Sequence, residues 1–404
     1  MCELDQESIR GENGVPQIDD ERLFHCSNTW PSMFWRTSWR SLNREFLDET
    51  FESVILTRTQ GSSEDSSTTS SDVLRLGKEA NTIEIDCHDF IHSVASLADG
   101  RHIVSGGNGG QIQCWRVEDG HEVGPPMNAA SVVFSVGMSR DGKWVVSGSN
   151  NGLVAVWNTK SRERVSEFKG HGSKSVRAVD VSPDATKFAS GADDKIVSVW
   201  SLAGKRLLGP LRHDYELAAV KFSPNGRLLA TATWDRNSVR IYDTQNSDLL
   251  VDFPVRVSSS LNQSLAWAND SKQLFALSRD GNIHCLDVPS NTATPSRWLI
   301  ERSNNNPKCI TLASNGRFIV ASSDSSVSFW DTMTHEQIGS VIGHTHAIWS
   351  MAVLANYDLV IAGDKKITLI ELYGIIPSSY FDVVSTSASE TRCTKWLPNH
   401  KPLR

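Results

Sequence analysis

Three constellations in the chain carry residue types that could do chemistry. His344 and His346, with His335 upstream, offer imidazoles at a spacing that could begin a zinc site. Gly106-Gly107-Asn108-Gly109-Gly110 is rich enough in glycine to cradle a phosphate. Asp193-Asp194 could serve as paired carboxylates. Each has a plainer reading. His344 follows Gly343 as His171 follows Gly170, so it belongs to a recurring Gly-His element. A phosphate cradle needs a following helix, and the next residues, Gln111 to Trp115, read as a strand. Asp193 and Asp194 fall in a polar turn that recurs along the chain. There is no GxSxG elbow and no HExxH pair. No catalytic residue, metal ligand, cofactor or small-molecule substrate is expected, and the chain reads as a non-enzyme.

The elements that hold these residues repeat. Aligning the ends of the third apolar run of each unit gives Trp115, Trp157, Trp200, Tyr242, Leu286, Trp330 and Ile370. The steps are 42, 43, 42, 44, 44 and 40 residues. Each unit has short alternating runs separated by turns such as Asp99-Gly100, Asp141-Gly142 and Asn225-Gly226. Asp-Gly and Asn-Gly supply the positive φ of tight hairpins. A period near forty with four short strands per unit is the signature of a β-propeller.

These units resemble WD40 repeats over roughly residues 82–373. The Gly-His element stands as Gly170-His171 and Gly343-His344, and is degenerate as Cys87-His88 and Arg212-His213. The Trp-Asp element is intact as Trp330-Asp331 and drifts elsewhere, to Trp157-Asn158 and Tyr242-Asp243 for example. Phrases such as FSPNGRLLATATWD resemble the WD40 domains of fungi in particular. The resemblance implies an all-β, seven-bladed propeller over 81–384. It also implies a structural tetrad in the repeat Lys169–Leu202, made of His171, Ser190, Asp194 and Trp200, the one unit with all four members. Gly109 and Asn151 stand in place of the tetrad Asp in the first two repeats. Ring closure falls to Thr82–Asp86, with Phe381–Val384 as the rival closing strand.

Composition narrows the class. The chain has 404 residues, 39% hydrophobic and 22% charged, with no apolar run long enough to span a membrane. The acidic, polar start predicts no secretory signal. Seven cysteines without metal-ligand spacing read as reduced thiols of a cytoplasmic or nuclear protein. Sequons at Asn262 and Asn269 then read as chance matches. Residues 1–80 carry 15 of the 47 acidic and 8 of the 40 basic side chains. The body that follows is formally neutral, which argues against nucleic-acid binding.

The leader divides into a disordered acidic stretch over 1–29, an amphipathic helix over 30–58 and a flexible Ser-rich linker over 59–80. Trp35, Trp39, Leu42 and Phe46 recur at helical spacing and make one apolar stripe. That stripe packs on the propeller or docks to a partner. Its many acids disfavour a membrane surface. Residues 385–404 read as a loose tail.

With chemistry absent, function falls to surface. Propellers of this family bind partners on the top face, where the innermost strands start. Repeat register puts Phe90, His92, Phe134, Arg177, Gln263, Lys308 and Trp349 there, and Trp234 beside a top turn. Aromatics with arginine are typical interface anchors. The expectation is a scaffold or adaptor, a monomer or a subunit of a complex, that binds a protein or peptide. An alternative is a substrate receptor of a cullin-type ubiquitin ligase, because Trp157-Asn158-Thr159-Lys160 resembles the Trp-Asp-x-Arg/Lys ending of such receptors. A propeller enzyme is the remaining alternative.

Overall fold

The computed structural model describes residues 74–75, 82–97, 99–234, 238–258, 262–288, 297–300 and 307–381. The expected helix with Trp35, Trp39, Leu42 and Phe46, the 1–29 stretch and the 385–404 tail lie outside the described residues.

Seven sheets follow one another in sequence, each an antiparallel meander, and together they form a seven-bladed propeller. Blade 1 comprises Ile91–Ser96, His102–Gly107, Gln111–Arg116 and Met127–Asn128. The inner strands of blades 2 to 7 are Val133–Met138, Val176–Val181, Leu217–Phe222, Leu265–Trp267, Pro307–Leu312 and Ser350–Val353. Each inner strand neighbours the next, and Ser350–Val353 lies beside Ile91–Ser96 to close the ring. Thr82–Asp86 supplies the outermost strand of blade 7, antiparallel to Lys366–Ile370. Chain segments from both ends of the array therefore share one sheet, and the ring keeps no open end.

Two segments carry more structure than their composition announces. Within the stretch expected to be linker, Leu74–Arg75 pair in parallel with Ile342–Gly343 at the outer edge of blade 6. Beyond Ile370 the chain folds back instead of trailing off. Phe381 stacks on Tyr373 at 4.2 Å between ring centres and packs against Tyr357 at 5.2 Å. The Tyr380 hydroxyl donates to Asp331 at 2.6 Å. The Asn315 amide donates to the Tyr380 carbonyl at 2.7 Å, and Arg317 donates to the Ser379 carbonyl at 3.0 Å. Phe381 thus clasps blades 6 and 7 from below, and the remainder of the rival closing strand, 382–384, lies outside the described residues.

The turns explain why the strands stop where they do. Gly100, Gly142, Gly226 and Gly316 all have positive φ in the hairpin after the inner strand. Ala185, Ser271 and Tyr357 hold the same left-handed conformation without glycine. A serine two residues before Asp or Asn steadies several of these turns, as in Ser139–Asp141 at 2.6 Å and Ser223–Asn225 at 2.7 Å.

Blade-on-blade packing depends on glycine of another kind. A Cβ on Gly148, in the second strand of blade 2, would stand 2.6 Å from Val176 Cγ1 of blade 3. Gly106 meets Val133 in the same way. These positions need absence of volume, because core packing leaves no slack for an added methyl. We expect Gly148→Ala to destabilise the fold by about 1–3 kcal/mol. Urea unfolding will show this, and adding Val176→Ala should restore part of the loss, since the two sites share one contact.

Candidate binding face

The buried polar network differs from blade to blade. In blade 3 the Trp200 indole N–H donates to Ser190 Oγ at 2.7 Å, and Ser190 Oγ lies 2.7 Å from His171 Nε2. His171 Nδ1 lies 2.9 Å from Asp194, whose other oxygen accepts the Ile196 N–H at 3.0 Å. The Trp–Ser half recurs as Trp115–Ser105 at 2.8 Å and Trp157–Ser147 at 3.0 Å. In blade 6, Ala321 occupies the serine position of the second strand, and Trp330 donates instead to Ser328 of its own strand at 3.0 Å. In blade 7, His344 Nε2 meets Thr368 of the third strand at 3.1 Å. In blade 4, His213 Nε2 meets Thr231 Oγ1 at 2.9 Å, with the Tyr242 hydroxyl 3.4 Å away.

These contacts answer the chemical constellations. His344 Nδ1 faces the His346 carbonyl at 2.9 Å, so both of its ring nitrogens are engaged within the fold. Among the described residues no three His, Cys, Asp or Glu side chains cluster as metal ligands would. Asp194 belongs to His171 and Asp193 to Arg177. Asn158 accepts the Lys160 and Ser161 N–H groups at 2.9 and 3.0 Å, the turn-capping role Asp331 plays toward Met333 and Thr334. Burial pushes the thiols of Cys87 and Cys309 up to about 12, which keeps them protonated and poor nucleophiles. On the opposite face a polar recess is lined by Arg140, Asn225, Asn269 and Ser271. There, Asn269 already donates to the Ser314 carbonyl and Ser271 accepts the Asn225 N–H.

The top face has its own construction. At the start of the inner strand the register slips by one residue in four blades, between Ile91 and Ser93, Val133 and Ser135, Val176 and Ala178, and Leu217 and Ala219. Blade 6 slips between Pro307 and Ile310. The extra residues are His92, Phe134, Arg177, Ala218 and, in blade 6, Lys308 with Cys309. A bulge re-aims the side chain it inserts, so the fold itself turns these positions toward the mouth of the channel.

Two clusters result. Arg177 lies over the Phe134 ring at 4.5 Å and the Trp234 ring at 5.3 Å. Asp193 holds its guanidinium with two hydrogen bonds, of 2.8 and 2.9 Å. His92 packs on Phe134 at 5.2 Å and pairs through Nε2 with Asn108 at 2.7 Å. Burial lowers the His92 pKa, helped by the Arg177 charge, so its ring is neutral near pH 7. In the second cluster Lys308 lies 5.4 Å from the centre of the Trp349 ring and 3.5 Å from Asp324. Phe90 stands apart, 42% exposed, with Lys365 at 6.0 Å. Phe134 is 4% exposed, so it supports Arg177 from beneath instead of presenting a surface. Gln263 contributes its backbone, taking the Ile310 N–H at 2.7 Å.

Sequence reasoning passed over Asn262. The connection from blade 4 to blade 5 is long, from Phe253 to Leu265, and Asn262 crosses from it to other blades. Its Oδ1 accepts the Val220 N–H at 3.0 Å and its Nδ2 donates to the Val179 carbonyl at 2.7 Å. Its own N–H donates to the Ala218 carbonyl at 2.8 Å. At 3% exposure and with positive φ it is a cross-blade staple. The Asn-x-Ser sequon was its one signal, and that pattern points to a surface residue. Asp193 was also missed as the clamp of Arg177, because it adjoins the tetrad Asp.

Comparison with known proteins agrees with this architecture. The profile of the family described as "WD domain, G-beta repeat" matches residues 79–116, 120–158, 162–201, 206–243 and 301–331. The chain belongs to the WD40-repeat family of β-propellers. The unmatched units are blades 5 and 7, where Leu286 and Ile370 replace the tryptophan. Small ribosomal subunit protein RACK1z of Oryza sativa subsp. japonica is 34% identical over 125 residues, 30% of this chain and 36% of the relative. WD repeat-containing protein 1 of Gallus gallus is 30% identical over 186 residues, 44% of this chain and 30% of the relative. Small ribosomal subunit protein RACK1 of Candida albicans is 31% identical over 134 residues, 32% of this chain and 41% of the relative. The chain thus spans about a third of the length of these curated relatives.

Two measurements follow. His213 has its pKa pushed down to about 4, chiefly by burial and then by Arg240. Its unfolded value is near 6.5, so the unfolded state binds the proton first. Stability should hold above about pH 6.5 and fall by about 3 kcal/mol as pH drops toward 4. Urea midpoints across that range should show the slope, and His213→Gln should flatten it. Asn262→Ala should cost about 1–3 kcal/mol by orphaning the Val220 N–H and the Val179 carbonyl, with Val220 losing amide-exchange protection first.

Proposed function

We propose that the protein is a non-enzymatic scaffold or adaptor that binds a protein or peptide on the top face of its propeller. The observation that carries this reading is the stack of Arg177 between Phe134 and Trp234, clamped by Asp193. The clamp fixes the guanidinium before any partner arrives, which lowers the entropic cost of binding. Among the described residues the enclosed Trp234 indole N–H meets no acceptor, which is a cost to stability. Partner contact would explain why tryptophan stands at that position. Phe90, His92, Gln263, Lys308 and Trp349 extend the same face around the channel mouth.

The relatives named as small ribosomal subunit proteins share propeller repeats with this chain. They support an adaptor role within a larger complex, and the partner is identified here only as protein. The buried thiols of Cys87, Cys114 and Cys309, none in a disulfide, favour a reducing compartment, cytoplasm or nucleus. No helix among the described residues is long and apolar enough to cross a membrane.

Affinity capture with mass spectrometry tests the reading. Proteins retained by the wild-type chain should be lost with Arg177→Ala and with Trp349→Ala, while thermal melts stay close to wild type. Anchors of this kind commonly contribute about 2 kcal/mol or more to binding, enough to empty a wash-resistant complex. Retention of every partner by both variants would remove the top face from the proposal.

A further inference from the structure

The chemistry of the bound segment can be read from which top-face charges are already occupied. Carboxylates there are largely spent inside the fold. Asp193 holds Arg177, Asp194 holds His171, Asp324 faces Lys308 and Asp280 caps its own turn through Ser278. The exposed cations are not spent in this way. Arg256 makes no side-chain hydrogen bond or ion pair among the described residues, and neither does Lys174. Among the described residues the Arg279 side chain reaches only the Trp234 carbonyl, at 3.5 Å. Lys195 lies over the Tyr215 ring at 5.8 Å, without a carboxylate.

Their placement is ordered. The Arg279 N–H donates to the Arg256 carbonyl at 2.9 Å, so the two arginines spring from adjoining loops of blade 5. The loop bearing Arg256 is held by Ser258, whose hydroxyl donates to the Lys308 carbonyl at 3.0 Å, and by the Asn262 staple. Arg279 adjoins Trp234, and Trp234 adjoins Arg177. Lys174 and Lys195 flank the same stack on blade 3. Among the described residues the exposed carboxylates of this sector are Asp214, which pairs with Arg240, Asp280, which caps its turn, and Glu216, whose pKa is raised by burial and by Asp193. A partly buried carboxylate between cations weakens the local excess without cancelling Arg256 and Arg279 on the next blade.

We infer that the top face recognises an acidic segment of a protein. The segment is extended, lies over blades 3 to 5, sets carboxylates against Arg256 and Arg279, and rests an apolar side chain beside Trp234. This deepens the scaffold reading and rests on it. Exposed complementary charges govern encounter rate and selectivity more than affinity, and salt screens them. Binding should therefore weaken with ionic strength, as burial of aromatics alone would not.

Two fluorescein-labelled peptides that share their aromatic residues, one Glu-rich and one Lys-rich, test this by anisotropy with the full chain. The Glu-rich peptide should bind, and more weakly at about 300 mM than at about 50 mM NaCl. Arg256→Glu with Arg279→Glu should weaken it about tenfold or more, while Lys205→Glu on the opposite face should not. The three changed side chains are exposed, so melting temperatures should be unaffected. Equal binding of the two peptides, no binding of the Glu-rich one, or indifference to the double reversal would each overturn the inference. Cellular partners separate its failure from that of the scaffold reading. Partners lost with Trp349→Ala but kept by the arginine reversals leave the scaffold standing without the acidic segment. Partners kept by every variant remove both.

Discussion

The inner strand of each blade has an edge with no strand beside it, and the rest of the structure is arranged around that fact. Backbone N–H groups on this edge are buried, so each needs an acceptor. Serines of the preceding blade supply one. Ser350 takes the Val94 N–H at 3.0 Å, Ser93 takes Val136 at 3.1 Å, and Ser135 takes Val179 at 3.1 Å. One step on, blade 3 has Ala178 in the serine's place, and Val220 would be orphaned. Asn262 arrives from the far side of the sequence to take it. Two residues further along, Asp180 of blade 3 accepts the Phe222 N–H at 2.8 Å, so the ladder resumes.

This ladder sets the character of the top face. Asn262 touches inner strands of blades 3 and 4 while belonging to the entrance of blade 5, and the Gln263 carbonyl reaches blade 6. The long connection is thus fastened to its neighbours at several points, and the mouth of the channel becomes a supported platform. The bulges at His92, Phe134 and Arg177 then aim side chains over a surface that cannot give way. Preorganisation of this kind lowers the entropic cost of any contact made on that face.

Much of this was legible in the sequence, for physical reasons. The forty-residue period, the Asp-Gly turns and the alternating runs are local, and local geometry writes itself into local residue choice. The closing strand Thr82–Asp86 was legible because it alternates. The buried networks were only half legible. Ser190 and Trp200 sit at fixed offsets, but blade 6 solves the same problem with Ser328 from the adjacent strand, because a hydroxyl there reaches the same indole. Asn262 was illegible, since nothing nearby in sequence shows that Ala178 leaves the Val220 donor unmet 42 residues away. The rim positions followed from register, yet whether a rim side chain is anchor or support depends on neighbours from other blades. Phe134 is buried because Arg177 covers it.

The uneven repeats follow from the same constraint. A blade can lose tetrad members when its neighbours and caps take over their load. Blade 7 has Ile370 in the Trp position and draws its serine-type contact from Thr368, but it is closed by Thr82–Asp86 and clasped by Phe381 and Tyr380. Blade 5 has Leu286 in the Trp position, and it is bound to blades 3, 4 and 6 through Asn262, Gln263 and Ser258. Blade 3, with the full tetrad, is the one whose Ala178 leaves a neighbour's N–H unmet. Stability in this ring is therefore exchanged between blade-internal and inter-blade bonds, and a repeat is free to drift wherever the second kind suffices. The long connection that carries Arg256 and Asn262 leads into blade 5, one of the units that depart from the repeat pattern, so that departure and the shape of the top face coincide.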